Sequence, residues 1–543
     1  MIDDYVDDML AASDVQRCKD REQRRNELGP LDQRDEATIQ QAIEVLAQAQ
    51  ILPDILVSNR LHIVIEKRIA EQDRILSAQL DLIMHHPDFQ HLEASWRGLY
   101  FLVHEEIRSH EFANWESVKF RVINVSKKDL LKELERAVEF DQSGLFYRVH
   151  DNVYGTFEDP FCCLIGDYAF GRNPQDVSLL EYMSHIAAAA HAPFIASAAP
   201  EMFGLATFAD IGLPRDLGRI FDGNEYSEWM RFRESEDSRY VALTLPHILL
   251  RSPYGIGEDE PLNAAFGYQE DVTGKDRGKY LWGNAAFALA TRITEAYAEY
   301  GWLARIFSEK EGDPMQWSMS LESGGGLVRG LPTLMFKYGQ EDLERQSPLE
   351  GWITDRREYE LQKLGFIAPQ VYNGHAVFLG SQSCQKPKQH DNPVASLNAI
   401  LSSQIRYILC GSLLARNLLA MVRDWPLFEA PIPRDECEMW MNTWINQYVV
   451  AGPEMASLEQ LAKRPLREAR VEVRETQSGC YEAVLQLRPN FQSREFSASL
   501  RFVMMLPPGK LKKEEKELEQ VHSEQGWEHL PSESRKRWWQ FWK

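Results

Sequence analysis

The sequence predicts an α/β chain of mixed α+β character, and three observations carry that expectation. Strand-like and helix-like segments alternate between about residues 120 and 300, the spacing of a largely covered sheet flanked by helices. Past residue 460 the period shortens to two. There Tyr481, Ala483, Leu485 and Leu487 share one face of a segment, and Phe496, Ala498, Leu500, Phe502, Met504 and Leu506 one face of the next. The 543 residues are 44% hydrophobic, with 14 Trp, 19 Tyr and 25 Phe. Such a chain buries a large core and has room for about three to four domains.

The formal charge of −22 argues against nucleic acid as a partner, because phosphate binding needs a basic face. Seven scattered cysteines without a CxxC spacing give the pattern of a reduced compartment, with neither a disulfide framework nor a zinc site. The opening MIDDYVDDML is acidic where a signal peptide is basic. The most membrane-like run, Ile186 to Pro200, is short and interrupted by His191 and Pro193, so no transmembrane segment is expected and the chain reads as cytoplasmic.

In chain order, residues 1–59 read as a helical arm that docks on a partner. Asp35 is placed to cap a helix with Ile39, Ile43 and Leu46 on one face, and Pro53 ends it. Leu61, Ile63 and Ile65 alternate with polar neighbours as a short strand does. Ile69, Leu76, Leu80 and Ile83 then share a helical face, and after Pro87 a second helix carries Phe89, Leu92, Trp96, Leu99 and Val103 as its stripe. Glu93 and Arg97 are spaced as an i,i+4 pair. A strand is expected at 120–125, a helix at 127–140, strands at 161–165 and 193–198, and helices at 177–190 and 283–305. From about Pro393 two apolar helical stripes lead into strands near 469–475, 480–488 and 496–506.

Three features invite a chemical reading. Between Arg231 and Arg239 three basic and three acidic residues fall within nine positions. Glu234, Glu236 and Asp237 there could form an acid/base or metal site; the plainer reading joins them with Arg233 and Arg239 in a structural ion-pair cluster entering a buried strand. The loop at 323–330, SGGGLVRG, lacks the Lys-Ser/Thr of a P-loop and is followed by Leu331-Pro332, so it reads as a crossing between elements. His85, His86, His91, His104 and His110 show no HExxH spacing. No catalytic, metal or cofactor-binding constellation is complete, and none is expected.

The longer motifs carry a resemblance. Three of these are HHPDFQHLEASWRGLYFLV (His85 to Val103), AAAHAPFIASAAPEMFG (Ala188 to Gly204) and FRESEDSRYVALTLPHILLRSPYG (Phe232 to Gly255). KYLWGNAAFALATRIT (Lys279 to Thr294) and TDRREYELQKLGF (Thr354 to Phe366) extend the match. Together they resemble the large sheath subunit of the bacterial type VI secretion system, the TssC/VipB/EvpB family. The resemblance implies a contractile tail-sheath-like body over 60–392, a small gpW/gp25-like domain over 393–508, and a basic, aromatic tail over 509–543 foreign to the family. It implies a structural role: co-assembly with the small sheath subunit TssB/VipA and with copies of itself into a tube around the Hcp inner tube. It further implies attachment to the inner membrane through baseplate components and dismantling of the contracted sheath by the ATPase ClpV. A scaffold without contraction, or an enzyme using the 231–239 carboxylates, are the alternatives from other classes.

Linkage by exchanged terminal strands, also implied by the family, makes Leu61, Ile63, Ile65, Val471, Val473, Leu485, Leu487, Leu500 and Phe502 the expected interface positions, with the edge of the 480–488 strand pairing to a neighbour. Trp538, Trp539 and Trp542 in the closing RKRWWQFWK are candidate anchors to a membrane surface or partner groove.

Overall fold

The computed structural model describes residues 61–108, 118–151, 153, 159–213, 216–255, 268–273, 276–303, 305–308, 325–338, 343–424, 433–450, 452, 455–476, 481–490 and 500–506. The expected arm helix near 39–50 and the tail tryptophans lie outside them. The chain divides into two units, Met1–Leu80 with Pro261–Tyr268, and Asp81–Glu260 with Gln269–Lys543.

Helix α1 (Leu61–Met84) begins where a strand was expected. Five residues of alternation cannot separate the two periods, and the residues after Ile65 continue the helical one, so the correction is a matter of window length. Helix α2 (Pro87–Arg108) follows the His85-His86 break as expected. Its Arg97 Nε donates to Glu93 Oε1 at 2.7 Å. The stripe, however, faces differently than anticipated. Leu92 and Trp96, with Tyr100, are largely exposed, and the buried side is Gly98 and Leu102. A Cβ at Gly98 would stand 2.4 Å from the Phe287 ring, so only glycine permits this approach.

The body is organised on a four-stranded parallel sheet whose strands lie in the order Leu164–Phe170, Phe194–Ala198, Val241–Thr244, Phe366–Ile367. Residues 118–126 form no strand. Ser126 caps helix α3 (Lys127–Arg136), its hydroxyl accepting from the Asp129 amide. Strand β1 (Leu164–Phe170) starts later than expected, and helix α4 (Pro174–Ala189) opens with proline in its first turn. Strand β2 (Phe194–Ala198) is buried at every position, as is β3 (Val241–Thr244), which helix α5 (Ser227–Glu234) precedes. Burial on both faces explains why these strands read as continuous apolar runs without alternation. Ile186 to Pro200 is thus the end of α4 and a buried strand.

Strands β4 (Ile248–Leu249) and β5 (Trp282–Gly283) form a short antiparallel ladder. Helix α6 (Ala285–Tyr300) then packs on the sheet; Asn284 caps it by accepting from the Ala286 amide at 2.8 Å, and donates to the Gly166 carbonyl of β1 at 3.1 Å. Gly301, at φ 68°, ends it. A hairpin of β6 (Leu334–Tyr338) and β7 (Leu343–Ser347) leads through helix α7 (Asp355–Lys363) to β8 (Phe366–Ile367) and the hairpin β9 (Pro369–Tyr372) and β10 (His375–Phe378).

Helices α8 (Pro393–Ser402) and α9 (Ile405–Asp424) divide one expected stripe at Ser403-Gln404. Ile405–Arg423 is long and apolar enough to cross a membrane, yet two-thirds of it is buried inside the protein. Helix α10 (Arg434–Ile445) and the short α11 (Leu458–Lys463) precede a three-stranded antiparallel sheet of β11 (Leu466–Glu475), β12 (Tyr481–Pro489) and β13 (Leu500–Leu506).

At the end of α4, His191 holds φ 49° and is buried, its Nδ1 without a hydrogen-bond partner. Burial, reinforced by the facing His150 and Arg239, pushes its imidazole down to about 4. Between pH 6.5 and 4 the unfolded chain therefore binds a proton that the folded chain refuses. This contribution to stability is whole above the unfolded pKa and falls as pH drops through that window, by on the order of 3 kcal/mol. Denaturant midpoints should decline from pH 6.5 to 4, and His191→Asn, which tolerates the left-handed backbone, should flatten that part of the profile. An unchanged profile would place the pH dependence elsewhere.

Candidate assembly interface

The C-terminal sheet brings together most of the expected interface residues, in roles the sequence did not separate. β12 pairs with β11 along one side, Val471↔Leu485 and Val473↔Ala483, and with β13 along the other, Leu485↔Phe502 and Leu487↔Leu500. It is the central strand and has no free edge. The expectation that the 480–488 edge pairs with a neighbour is corrected here: both of its edges are consumed inside the protomer. Val471, Val473, Leu485, Leu487 and Phe502 are all buried on the face covered by helices. The Phe502 ring closes on α9 at Gly411, where a Cβ would stand 2.1 Å from it. Leu61, Ile63 and Ile65 lie on α1 and are not strand residues.

The outer edges of this sheet differ. On β11, the Val471 amide donates to Asn442 Oδ1 at 2.9 Å, while Asn442 Nδ2 donates to the Val471 carbonyl at 2.7 Å. The Val473 amide donates to Glu438 Oε2 at 3.0 Å, and Val450 N–H reaches the Leu466 carbonyl at 2.9 Å. Among the described residues nothing pairs with the outer edge of β13, where Arg501 and Val503 are exposed. Sequence reasoning missed Asn442 and Glu438, because a side chain bonding to a strand edge leaves no periodic signal.

The charge cluster at 231–239 resolves into unlike parts. Arg233 is buried, donating from Nε to the Cys384 carbonyl at 3.0 Å and from its Nη2 to the Lys363 carbonyl at 2.9 Å. Burial pushes its guanidinium down to about 10. Gly365, at φ 90°, leaves it room: a Cβ there would lie 3.0 Å from Nε. Where the sequence expects the carboxylates to pair with the cluster's own arginines, they meet side chains from elsewhere. Glu234 meets Lys386 at 3.5 Å, Glu236 meets Lys388, and Asp237 stands 3.9 Å from His185. The Lys388 hydrogen bond holds the Glu236 carboxyl below its ordinary range. The two lysine pairs are largely solvated and worth at most about 1 kcal/mol each. Arg239 lies over the Tyr240 ring at 5.5 Å.

A tighter network sits at the start of α2. Arg251 bridges Glu93 at 2.8 Å and Glu270 at 2.5 Å, and His85 Nε2 stands 3.2 Å from Glu270. Although burial opposes its ionisation, Arg251 leaves the Glu270 carboxyl below its ordinary value. The 325–330 part of the glycine loop is bonded into β10: the Phe378 amide donates to the Gly326 carbonyl at 2.8 Å, and a Cβ on Gly326 would strike the Phe378 carbonyl. Among the described residues no group of three or more histidine, cysteine or acidic side chains could hold a metal ion.

Known protein families match the chain over two stretches. The tail sheath N-terminal domain of the EvpB/VC_A0108 family matches residues 66–385, and the tail sheath gpW/gp25-like domain of that family matches 394–506. This chain belongs to the large sheath-subunit family of type VI secretion. It is 38% identical to the type VI secretion system sheath protein TssC1 of Pseudomonas aeruginosa over 492 residues, 89% of this chain and 94% of that one. The crystal structure of a sheath tail protein from Desulfitobacterium hafniense aligns over 63% of this chain and 57% of its own length. At 9% identity and a TM-score of 0.28 it carries no argument. A member of this sheath family is a structural subunit of a contractile tube and not an enzyme, and it assembles with its own copies and with the other sheath subunit. The mixed α/β tail-sheath fold expected from the sequence is the one found.

Placing Leu485 at the centre of the sheet changes what its replacement does. Leu485→Asp puts an unpaired carboxylate into the protomer's own core, at a cost of several kcal/mol. Thermal unfolding should lose the cooperative melting of the C-terminal region, and capture of other sheath subunits should fail with it. Retained melting with loss of assembly alone would contradict the core placement.

Proposed function

We propose that this subunit is joined to its neighbours in the sheath by strand addition at the outer edge of β13. A strand donated by a neighbour satisfies a row of backbone groups at once, while alternate side chains fix its register. One observation supports the choice of edge: β13 ends the sheet, and Val503 stands exposed on it. A helical tube needs a contact that repeats head to tail without closing, and an added strand from a separate segment supplies one. The donor belongs to another copy of this chain or to the small sheath subunit TssB. The assembled tube surrounds the Hcp inner tube, rises from baseplate components at the inner membrane, contracts by rearrangement of its interfaces, and is dismantled by ClpV from the cytoplasmic side. The exposed Leu92, Trp96 and Tyr100 offer a further apolar surface for packing within the tube.

Co-expression with the small subunit should give tubes under electron microscopy. In them, a cysteine at Val503 should cross-link to a neighbouring subunit; tubes without any such cross-link would exclude β13 as the joining edge.

Residues 509–543 lie beyond the family match. Removing residues 510–543 should leave tube yield unchanged, whereas loss of tubes would make the tail an assembly element. If Trp538, Trp539 and Trp542 anchor the assembly, replacing them by Ala should change where fluorescent tubes start in cells and not how many form.

A further inference from the structure

The two edges of the C-terminal sheet are treated differently by this chain, and the treatment of β11 is built from side chains. An asparagine amide carries the same donor and acceptor pair as a peptide group. Through its 2.9 Å and 2.7 Å bonds to Val471, Asn442 therefore takes the place of a residue on a fourth strand. Its orientation is fixed by a further bond from Nδ2 to the Glu438 carbonyl at 2.8 Å, one turn back on α10. Buried Met441 and Trp444 hold that helix on the sheet. Glu438 and Asn442 are four residues apart, a rise of about 6 Å along a helix. Val471 and Val473 are two residues apart on one edge, about 6.7 Å along a strand. The two spacings match, so a single helix face reaches two successive outward positions of β11. Nearer the start of that strand, Val450 takes the Leu466 carbonyl.

A sheet with two open edges can join others in three ways, β11 to β11, β11 to β13 and β13 to β13. Edge-to-edge pairing is the ordinary hazard of such strands. Pairing of like edges about a two-fold axis makes a closed dimer and removes subunits from a growing tube. We propose that Asn442 and Glu438 are edge-closing residues, which bar strand addition at β11 and leave β13 as the one acceptor edge, so that the sheath's strand linkage has a single direction. This rests on the strand-addition reading above, and its test separates the two.

The full chain, co-produced with the small sheath subunit, is compared with Asn442→Ala, Glu438→Ala and the double variant. Each carries a reporter cysteine either at Arg474, exposed on β11, or at Val503, exposed on β13. Intermolecular links are formed with a bis-maleimide and located by mass spectrometry, and amide exchange is followed over the peptide containing Val471 and Val473. In the double variant, exchange in that peptide should rise about tenfold, and links between Arg474→Cys sites of two copies should appear that the parent lacks. Faster exchange with no Arg474→Cys links would overturn the edge-closing role, and unchanged exchange would overturn the hydrogen bonding itself. If Val503→Cys never links while the Arg474→Cys response is present, the β13 reading falls and the closing of β11 stands. Should the double variant fail to melt cooperatively, Asn442→Asp decides, since it keeps the acceptor for Val471 N–H and loses the donor. Links above the parent level support the proposal, and none overturns it.

Discussion

Backbone N–H and C=O groups on a strand must meet partners, and in the C-terminal sheet that demand sorts three strands into three roles. β12 is satisfied on both sides by its own protomer. β11 is satisfied by β12 on one side and, at Leu466, Val471 and Val473, by Val450, Asn442 and Glu438 on the other. β13 is satisfied on one side among the described residues. The apolar side chains beneath all three face α9 and α10, so the sheet is anchored as a unit and only its backbone edge is left to recruit a neighbour.

The body supplies a rigid base for that edge. Strands β2 and β3 of its parallel sheet are buried on both faces; Thr244 Oγ1 donates to the Ala196 carbonyl at 3.0 Å, and Arg233 joins α5 to the segments around Lys363 and Cys384. The base is continuous with the C-terminal helices. Arg416 on α9 donates to the Pro160 carbonyl at 2.9 Å, and the Trp302 ring lies tilted against Tyr448 with ring centroids 4.8 Å apart. A subunit that must transmit force through its neighbours needs such cross-bonding more than it needs a cleft. Of the carboxylates that invite a catalytic reading, Glu234 and Glu236 are solvated partners of lysines.

Much of this was legible in the sequence. Period two over Tyr481 to Leu487 and over Leu500 to Leu506 located β12 and β13, and the buried runs located β2 and β3. Long motifs located the family. The sequence could not say which of three strands lies in the middle, since alternation marks a buried face and carries no information about neighbours. Alternation therefore offers Leu485 and Leu487 to an interface as readily as to the core, where the register of the sheet puts them. Helix α2 failed in a related way: it is apolar on two sides, and a stripe containing Trp96 does not announce which side meets α6. Glu234 and Glu236 pair with Lys386 and Lys388, some 150 positions away, beyond the reach of any local pattern.

The proposed linkage of the sheath requires β13 to accept a strand and β11 to refuse one. Electron cryomicroscopy of tubes assembled from the full chain and its small partner tests this directly, at a resolution that separates strands. The density should show a fourth strand from another subunit along β13, with the Asn442 side chain still lying between α10 and β11. A strand from another subunit along β11 in place of Asn442, with β13 bare, would contradict it.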